Sequence, residues 1–315
     1  MELLRQTSFA RPLKLRSRWY TPCMAKLDNL PWIDAFAVSG YGVRIGVRVD
    51  DRALIPVLRA RPPPGAKIAP LGTVDRMLSI INGGAAARRG LKKYHLLYAD
   101  HVLAARSHDL ETVLDRYDAH LRIGIAQLSR HKLFVHAGVV AWKGKAILLP
   151  GRTLAGKTHL VAELVKAGAT YFSDEYAVLD REGLVHPFAK PLSMRSDKTA
   201  RQIETPVEKI GGIAGRTMLP VGLVVMSRYE AGARWRPARL TPGHGMLALL
   251  ENTFSARLSP ELAMSVLRQV VTGATVLRSK RGEAGGIADQ ILRFAEGLQQ
   301  EPSHRGDLEV VDARQ

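Results

Sequence analysis

The stretch Gly151-Arg152-Thr153-Leu154-Ala155-Gly156-Lys157-Thr158 directly follows the short apolar run Ala146–Leu149 and Pro150. It matches the pattern G-x-x-x-x-G-K-[ST] in full. The glycines let the backbone wrap closely around an anion, and the N–H groups at the start of the following helix point at that anion. Lys157 can reach terminal phosphates, and the Thr158 hydroxyl can bind Mg²⁺. We therefore predict that these eight residues bind the phosphates of a nucleotide such as ATP.

Strand-like and helical patterns alternate on both sides of this loop. Strands are predicted at Leu133–Ala141, Ala146–Leu149, Tyr171–Phe172, Tyr176–Leu179 and Pro220–Met226. Helices are predicted at His159–Ala167, where Gly168 ends the helix, and at about 243–252, 260–272 and 286–298. This alternation is typical of an α/β domain, which we assign to residues 131–300. A polar tail follows at 301–315.

The residues before this domain carry no motif that indicates chemistry. Apolar residues alternate in 41–50, which predicts a half-buried strand. Residues 109–129 carry apolar side chains at steps of three or four, which predicts a long amphipathic helix. The residues of that apolar stripe are Leu110, Val113, Leu114, Tyr117, Leu121, Ile125 and Leu128. We predict a smaller α+β domain over residues 1–130 and interpret it as a docking or assembly unit.

Composition excludes several classes of protein. The chain has 315 residues, of which 46% are hydrophobic and 24% are charged, which is ordinary for a globular protein and not for a wholly disordered one. No run approaches 18 apolar residues, so no transmembrane helix is expected. A single cysteine, Cys23, excludes an intramolecular disulfide and a cysteine-based zinc site. We predict a cytoplasmic protein.

The formal net charge of +17 predicts an attraction to anions, including phosphate esters and nucleic acid. The basic residues are spread over the chain and are not interleaved with aromatic residues, which make up 6%. This pattern favours a solvated basic surface over a dedicated nucleic-acid groove, so nucleic acid is not the expected partner. The basic clusters are Arg88, Arg89, Lys92 and Lys93; Arg228, Arg234, Arg236 and Arg239; and Arg278, Lys280 and Arg281.

An acidic pair and a histidine flank the phosphate loop in sequence. Asp174 and Glu175 follow the predicted strand that ends at Phe172, and Asp174 lies sixteen residues after Thr158 (174 − 158). A carboxylate at a neighbouring strand end is what a P-loop enzyme needs to hold metal and water, although two acids after a strand are also typical of a surface turn. His136 lies on the strand before the loop, where a lone histidine is more often structural than catalytic.

These residues occur in an order that resembles a known family. The run Phe134–Val140 with its histidine, then the loop Gly151–Thr158, then Ser173-Asp174-Glu175 resembles the catalytic domain of HPr kinase/phosphorylase. The fold of that family is similar to that of phosphoenolpyruvate carboxykinase. The runs 169–180 and 185–187 look more closely like HPr-kinase-related proteins of bacterial biosynthetic clusters. The resemblance covers about residues 131–195.

The resemblance implies an α/β fold with a P-loop catalytic domain of the phosphoenolpyruvate carboxykinase and HPr kinase kind. It implies that Asp174 accepts the proton of an incoming serine hydroxyl and that His136 lies close to the acidic pair and tunes it. Glu175 would hold Mg²⁺ with Thr158 and Asp174, while Lys157 would contact the transferring phosphate. The expected acceptor is a serine of a protein or peptide, such as a biosynthetic-cluster peptide. A homo-oligomer is implied by analogy.

The chain departs from the family pattern at three points. The acidic pair is Asp-Glu where the family usually has Asp-Asp, and His159 stands where HPr enzymes typically carry glutamate. Residues 191–195 are at best a remnant of the family's second, glycine-containing signature. These departures weaken the expectation of phosphorylase activity and of HPr as the substrate, and they leave the expectation of ATP-dependent phosphoryl transfer unchanged.

Two other functions are compatible with the sequence. The first is a kinase that phosphorylates the hydroxyl of a small metabolite. The second is a nucleotide-gated binding protein that performs no phosphoryl transfer, because a P-loop alone does not define the reaction.

Overall fold

The computed structural model describes residues 27–83, 94–151, 156–196 and 199–300. Within these ranges the chain is a mixed α/β protein whose strands form three sheets. Several predictions lie outside the described residues. They concern the phosphate-loop positions Arg152, Thr153, Leu154 and Ala155, the basic cluster at 88–93, Cys23 and the tail 301–315.

The first sheet contains six strands: β1 (Asp34–Gly40), β2 (Val43–Val49), β3 (Lys67–Ala69), β4 (Arg76–Ile81), β5 (His95–Ala99) and β6 (Val102–Ser107). Their order across the sheet is β3-β1-β2-β4-β5-β6. Neighbouring strands are antiparallel, except that β2 and β4 are parallel.

Strand β2 confirms the alternation read from 41–50, with a correction to its start. Tyr41 and Gly42 have φ angles of 56° and 79°, so they form the tight turn from β1 and are not part of the strand. The apolar residues of the alternation are fully buried and point into one core: Val43, Ile45, Val47 and Val49.

Helix α1 (Leu54–Arg59) is short, whereas α2 (Leu110–Leu128) is the long helix predicted at 109–129. The Asp109 carboxylate accepts a hydrogen bond of 3.2 Å from the Thr112 N–H and caps the start of α2. The buried face of α2 packs on the first sheet, and the same core includes Phe134 and Tyr176 from the second sheet. The predicted domain boundary at residue 130 falls between α2 and the second sheet and stays a prediction.

The second sheet is larger, and a two-stranded sheet accompanies it. Its strands are β7 (Leu133–Trp142), β8 (Lys145–Pro150), β9 (Thr170–Ser173), β10 (Tyr176–Leu179) and β11 (Leu184–His186), then β14 (Leu219–Tyr229), β15 (Ala238–Arg239) and β16 (Thr275–Arg281). The two-stranded sheet contains β12 (Leu192–Ser196) and β13 (Thr199–Thr205). The order in the larger sheet is β11-β10-β7-β8-β14-β16-β15, with β9 also paired to β7.

Helices cover both faces of the second sheet. They are α3 (Lys157–Lys166), α4 (Pro242–Leu250), α5 (Pro260–Gly273) and α6 (Ala284–Gln300), and a 3₁₀ turn lies at Val207–Ile210. Helices α3 and α6 share one apolar cluster with Ile147 and Leu149, whereas α4 and α5 share another with Leu148. The alternating side chains of β8 therefore separate two helical layers. Helix α3 begins at Lys157, two residues before the predicted start at His159.

The parallel strands of the second sheet determine where the phosphate loop lies. Strands β8, β14 and β16 are parallel, so their carboxyl ends meet at one edge, and Gly151 follows β8 there. Helix α3 then packs very closely on β7, because a Cβ added to Gly138 would lie 2.5 Å from Val161 Cγ2. None of the described helices combines the length and the apolarity needed to cross a membrane.

Candidate active site

The described ends of the phosphate loop are Gly151 and Gly156. The Gly151 N–H donates a hydrogen bond of 3.3 Å to the carbonyl of His136, which joins the loop to β7. Gly156 has a φ of 70° and directly precedes the first residue of α3. This left-handed conformation is one that glycine adopts without a steric penalty, so the second glycine of the motif has a structural reason. The N–H groups in the first turn of an α-helix lack partners within the helix, and they give the start of α3 a partial positive charge.

A buried arginine supports the loop from β16. One guanidinium nitrogen of Arg281 donates a hydrogen bond of 3.0 Å to the Gly156 carbonyl, and another donates to the Gly282 carbonyl at 3.1 Å. Arg281 is 2% exposed, so it does not belong to the solvated basic surface that was expected for its cluster. That expectation was wrong for Arg281 because β16, which carries it against the loop, was not predicted.

Lys157 lies at the mouth of the loop. Its ammonium donates a hydrogen bond of 2.7 Å to the Gly151 carbonyl, which links the two ends of the loop. Burial lowers the Lys157 pKa from 10.5 to about 8, and the opposing charges of Asp174 and Glu175 limit the decrease. At pH 7 the amine is therefore mostly protonated, and its charge interacts with the acidic pair.

The acidic pair lies in a turn between β9 and β10. The Ser173 hydroxyl accepts hydrogen bonds from the N–H groups of Glu175 (3.0 Å) and Tyr176 (2.9 Å), which fixes the turn. The Ala137 N–H also donates to the Glu175 carbonyl at 3.1 Å, so the turn is attached to β7. The two carboxylates lie at the same end of the sheet as the phosphate loop.

Four donor groups surround the Asp174 carboxylate. Its Oδ1 lies 2.9 Å from the Lys190 ammonium and 3.2 Å from the Tyr171 hydroxyl. The Tyr171 hydroxyl has one proton and also lies 2.8 Å from the Lys190 carbonyl, so these two acceptors share it. Its Oδ2 accepts hydrogen bonds from the Ser193 N–H at 3.0 Å and from the Thr158 hydroxyl at 3.3 Å. A carboxylate has about four lone-pair positions, so each one faces a donor of the chain itself.

Glu175 is held by an arginine from the first sheet's helix. The Nε atom of Arg122, on α2, lies 2.9 Å from Glu175 Oε2 and 3.2 Å from Oε1. Glu175 Oε2 is also 3.7 Å from the Lys190 ammonium, and it is buried without a well-aligned hydrogen bond. Arg122 and Lys190 thus neutralise most of the charge of the acidic pair.

His136 lies on β7 beside the pair, in apolar surroundings. Its ring packs against the rings of Tyr176 and Phe254, and its backbone N–H donates to the Asn252 carbonyl at 2.7 Å. Burial and, to a smaller extent, the charge of Lys157 lower the His136 pKa to about 4, and the charge of Asp174 opposes both effects. Among the described contacts, the ring makes no hydrogen bond to Asp174 or Glu175. The predicted tuning of the acidic pair stays a prediction.

The residues predicted for Mg²⁺ are only partly together. The Thr158 hydroxyl and Asp174 Oδ2 are adjacent, whereas Glu175 is paired with Arg122. Mg²⁺ in phosphoryl-transfer sites is often held by one or two protein oxygens together with substrate phosphates and water, and this pair of atoms fits that use. Within the described residues, no group of three or more histidine, cysteine or acidic side chains could hold a metal ion.

The sequence did not indicate three of the side chains that form this site. Arg122, Lys190 and Arg281 come from a helix, a loop and a strand that are far apart in the chain. Each is a basic residue in a basic chain, and nothing in its sequence surroundings distinguishes it from a solvated one. The predicted residues Lys157, Thr158 and Asp174 do lie together, as do His136 and Glu175 around them.

No protein-family model matches the chain, and no curated protein matches it either. A functional conclusion therefore depends on the loop motif and on the geometry around Lys157, Thr158 and Asp174.

Proposed function

We propose that this chain is a Mg²⁺-ATP-dependent kinase that phosphorylates a hydroxyl, namely a serine of a protein or peptide. The observation that carries the proposal is the 3.3 Å contact between the Thr158 hydroxyl of the loop and the Asp174 carboxylate. A phosphate-binding loop needs such a carboxylate beside it for phosphoryl transfer. In the same proposal, residues 131–300 form a P-loop domain of the HPr kinase and phosphoenolpyruvate carboxykinase kind.

The charges around the loop support binding of a nucleotide triphosphate. Lys157, Lys190 and Arg122 carry three positive charges, against two negative charges on Asp174 and Glu175. The start of α3 adds partial positive charge. A polyphosphate with a bound cation would therefore enter a site whose net charge is small and positive. Thr158 and Asp174 would hold Mg²⁺, which supplies charge neutralisation on the phosphates.

In the proposed reaction, the serine oxygen bonds to the γ-phosphorus of ATP while the bond from that phosphorus to the bridging oxygen of ADP breaks. The serine proton passes to Asp174. Lys157 stabilises the charge on the transferring group, so catalysis consists mainly of positioning and charge neutralisation. For Asp174 to take the proton, one of its four donors must give way. The Thr158 hydroxyl has the longest of the four contacts, at 3.3 Å, and in this proposal it is the donor that turns away.

One observation favours a second candidate. Because every lone-pair position of Asp174 faces a donor of the chain, the carboxylate is well placed as a structural anchor of a nucleotide-gated binding protein that transfers no phosphate. In that case ATP would bind, and no acceptor would be phosphorylated. A kinase for a small-metabolite hydroxyl would use the same residues as a protein kinase, and the acceptor distinguishes the two.

Transfer of label from γ-labelled ATP with Mg²⁺ tests the proposal. Wild type, Asp174→Asn and Asp180→Asn would be incubated with lysate, and protein, peptide and small-molecule fractions would be separated. Asp180 is a matched control because it is also 5% exposed but pairs with His186 at the opposite end of β10. We expect labelled protein or peptide with wild type and Asp180→Asn, and a loss of about 100-fold or more with Asp174→Asn.

Three other results would each change the conclusion. Equal labelling by all three proteins would contradict the role of Asp174. Tight ATP binding without any labelled acceptor would favour the nucleotide-gated binding protein. Label in the small-molecule fraction alone would identify a metabolite kinase. Thermal unfolding of each variant shows whether a loss of transfer reflects a loss of fold.

A further inference from the structure

Lys190 is a buried cation that has all its hydrogen-bond partners. The residue is 8% exposed. Its ammonium lies 2.9 Å from Asp174 Oδ1, 3.0 Å from the Ser193 hydroxyl and 3.2 Å from the Pro191 carbonyl. An ammonium has three protons, and three oxygens surround it at hydrogen-bond distance. The lysine is thus held in one position by oxygen ligands, as a metal ion would be.

The position of this ammonium is between the two carboxylates. It lies 2.9 Å from Asp174 Oδ1 and 3.7 Å from Glu175 Oε2, so it is within ion-pairing distance of both. Two carboxylates that approach one point, together with a hydroxyl and a carbonyl oxygen, form the oxygen-rich set that divalent cations prefer. Glu175 Oε2 lacks a well-aligned hydrogen bond, so this oxygen still has a lone pair to offer.

We propose that Lys190 is a built-in cation that takes the place of a metal ion between Asp174 and Glu175. The nucleotide-free protein then does not bind a divalent cation at the acidic pair. Removing the ammonium would leave the two carboxylates facing an open point, with their charge offset by Arg122 and Lys157. Combined with the proposed kinase function, this inference means that Mg²⁺ binds on the Oδ2 side of Asp174, beside Thr158, and arrives with the nucleotide.

Lys157 provides a control that distinguishes the position of the Lys190 ammonium from a general effect of net charge on metal binding. It is a second buried lysine whose charge acts on Asp174 and Glu175, but its ammonium bonds to the Gly151 carbonyl. Replacing Lys157 removes the same charge from the same region without opening the point between the carboxylates. If the position of the ammonium between the carboxylates is what matters, replacing Lys190 should increase metal binding and replacing Lys157 should not.

The test is a titration of nucleotide-free protein with Mn²⁺, in which free Mn²⁺ is measured by electron paramagnetic resonance. The proteins are wild type, Lys190→Met, Lys157→Met, Asp174→Asn and the double variant Lys190→Met with Asp174→Asn. We expect wild type to bind Mn²⁺ weakly. Lys190→Met should bind Mn²⁺ at least about tenfold more tightly, because two carboxylates become available to the ion. Lys157→Met should resemble wild type, and the double variant should lose the gain.

Two results would overturn the inference. One is tight, one-to-one Mn²⁺ binding by wild type that the single variant Asp174→Asn abolishes. The other is a folded Lys190→Met protein with no gain in Mn²⁺ binding. If Lys190→Met does not fold, Lys190→Gln removes the charge while keeping a hydrogen-bonding group, and the same comparison applies. The titrations of wild type and Asp174→Asn decide the first result without any variant at Lys190.

This test does not depend on the proposed function, because no nucleotide is present. ATP binding is measured separately on the same proteins. A protein that fails to bind ATP but gains Mn²⁺ binding in Lys190→Met would contradict the kinase proposal and support the role of Lys190. If wild type binds ATP and transfers phosphate but Lys190→Met shows no gain in Mn²⁺ binding, the kinase proposal is supported and the role of Lys190 is contradicted.

Discussion

The imidazole of His136 is mostly buried between Tyr176 and Phe254, and burial together with the charge of Lys157 lowers its pKa from 6.5 to about 4. In the unfolded chain this histidine binds a proton below about pH 6.5, whereas in the folded chain it does so only below about pH 4. Between these values the unfolded chain binds more protons. The free energy of unfolding therefore decreases as the pH falls from 6.5 to 4.

We expect His136→Leu to remove this part of the acid sensitivity. Between pH 7 and pH 5, wild type should lose about 2 kcal/mol more of its free energy of unfolding than the variant does. Denaturant unfolding of both proteins at the two pH values measures the difference. If both proteins lose the same amount, His136 is not held neutral by burial in the folded chain.

At the level of single residues, the burial of basic side chains could not be predicted from the sequence. The motif pattern identified Lys157 and Thr158 because their spacing is itself informative. Lys190 and Arg281 have no such pattern, and in a chain of net charge +17 a basic residue is expected at the surface. Their burial depends on partners that are distant in the chain, namely Asp174 for Lys190 and Gly156 for Arg281.

At the scale of elements, the junction of the phosphate loop and α3 depends on Gly156. Its φ is 70°, and an added Cβ would lie 2.5 Å from a guanidinium nitrogen of Arg281. That guanidinium is buried and donates to the Gly156 and Gly282 carbonyls, so it cannot move without breaking those bonds. A side chain at position 156 would therefore strain the backbone and also disturb the support of the loop.

Gly232 provides a matched control, because its φ is 73° and an added Cβ would meet nothing within 4 Å. Gly232→Ala should decrease the free energy of unfolding by about 1 kcal/mol, from the left-handed backbone alone. Gly156→Ala should cost about 1–3 kcal/mol more, because overpacking adds to this strain, and it should weaken ATP binding. Denaturant unfolding and an ATP titration measure both effects. Equal costs for the two variants would contradict the role of Arg281 at the loop.

Elements with a strong local period were predictable, and elements defined by pairing were not. The alternation in 43–49 and the three-to-four spacing in α2 correspond to the observed strand and helix. Strands β11 to β13, β15 and β16 are short or polar, and they form because neighbouring strands offer hydrogen bonds. The ends of elements also depended on backbone conformation, as the left-handed Gly156 before α3 illustrates.

At the scale of the whole molecule, α2 connects the first sheet to the acidic pair of the second. Its apolar face packs on the first sheet, while Arg122 from the same helix reaches Glu175. The sequence suggested a docking or assembly role for the residues before 131, because no motif was present there. The contact of Arg122 means that these residues also complete the charge balance of the candidate site. Arg122 and Glu175 come together only in the folded arrangement of the two sheets, so no local sequence pattern could have predicted their contact.

Replacing Arg122 should therefore affect both stability and function. Arg122→Met leaves the partly buried carboxylate of Glu175 without its main partner and should cost about 3 kcal/mol of the free energy of unfolding. Arg61→Met is the matched control, because Arg61 pairs with Asp118 of α2 at 2.9 Å. Both variants should unfold more easily than wild type, whereas only Arg122→Met should reduce the rate of phosphate transfer under conditions in which both are folded. Equal transfer rates would mean that α2 supports the fold and has no part in the candidate site.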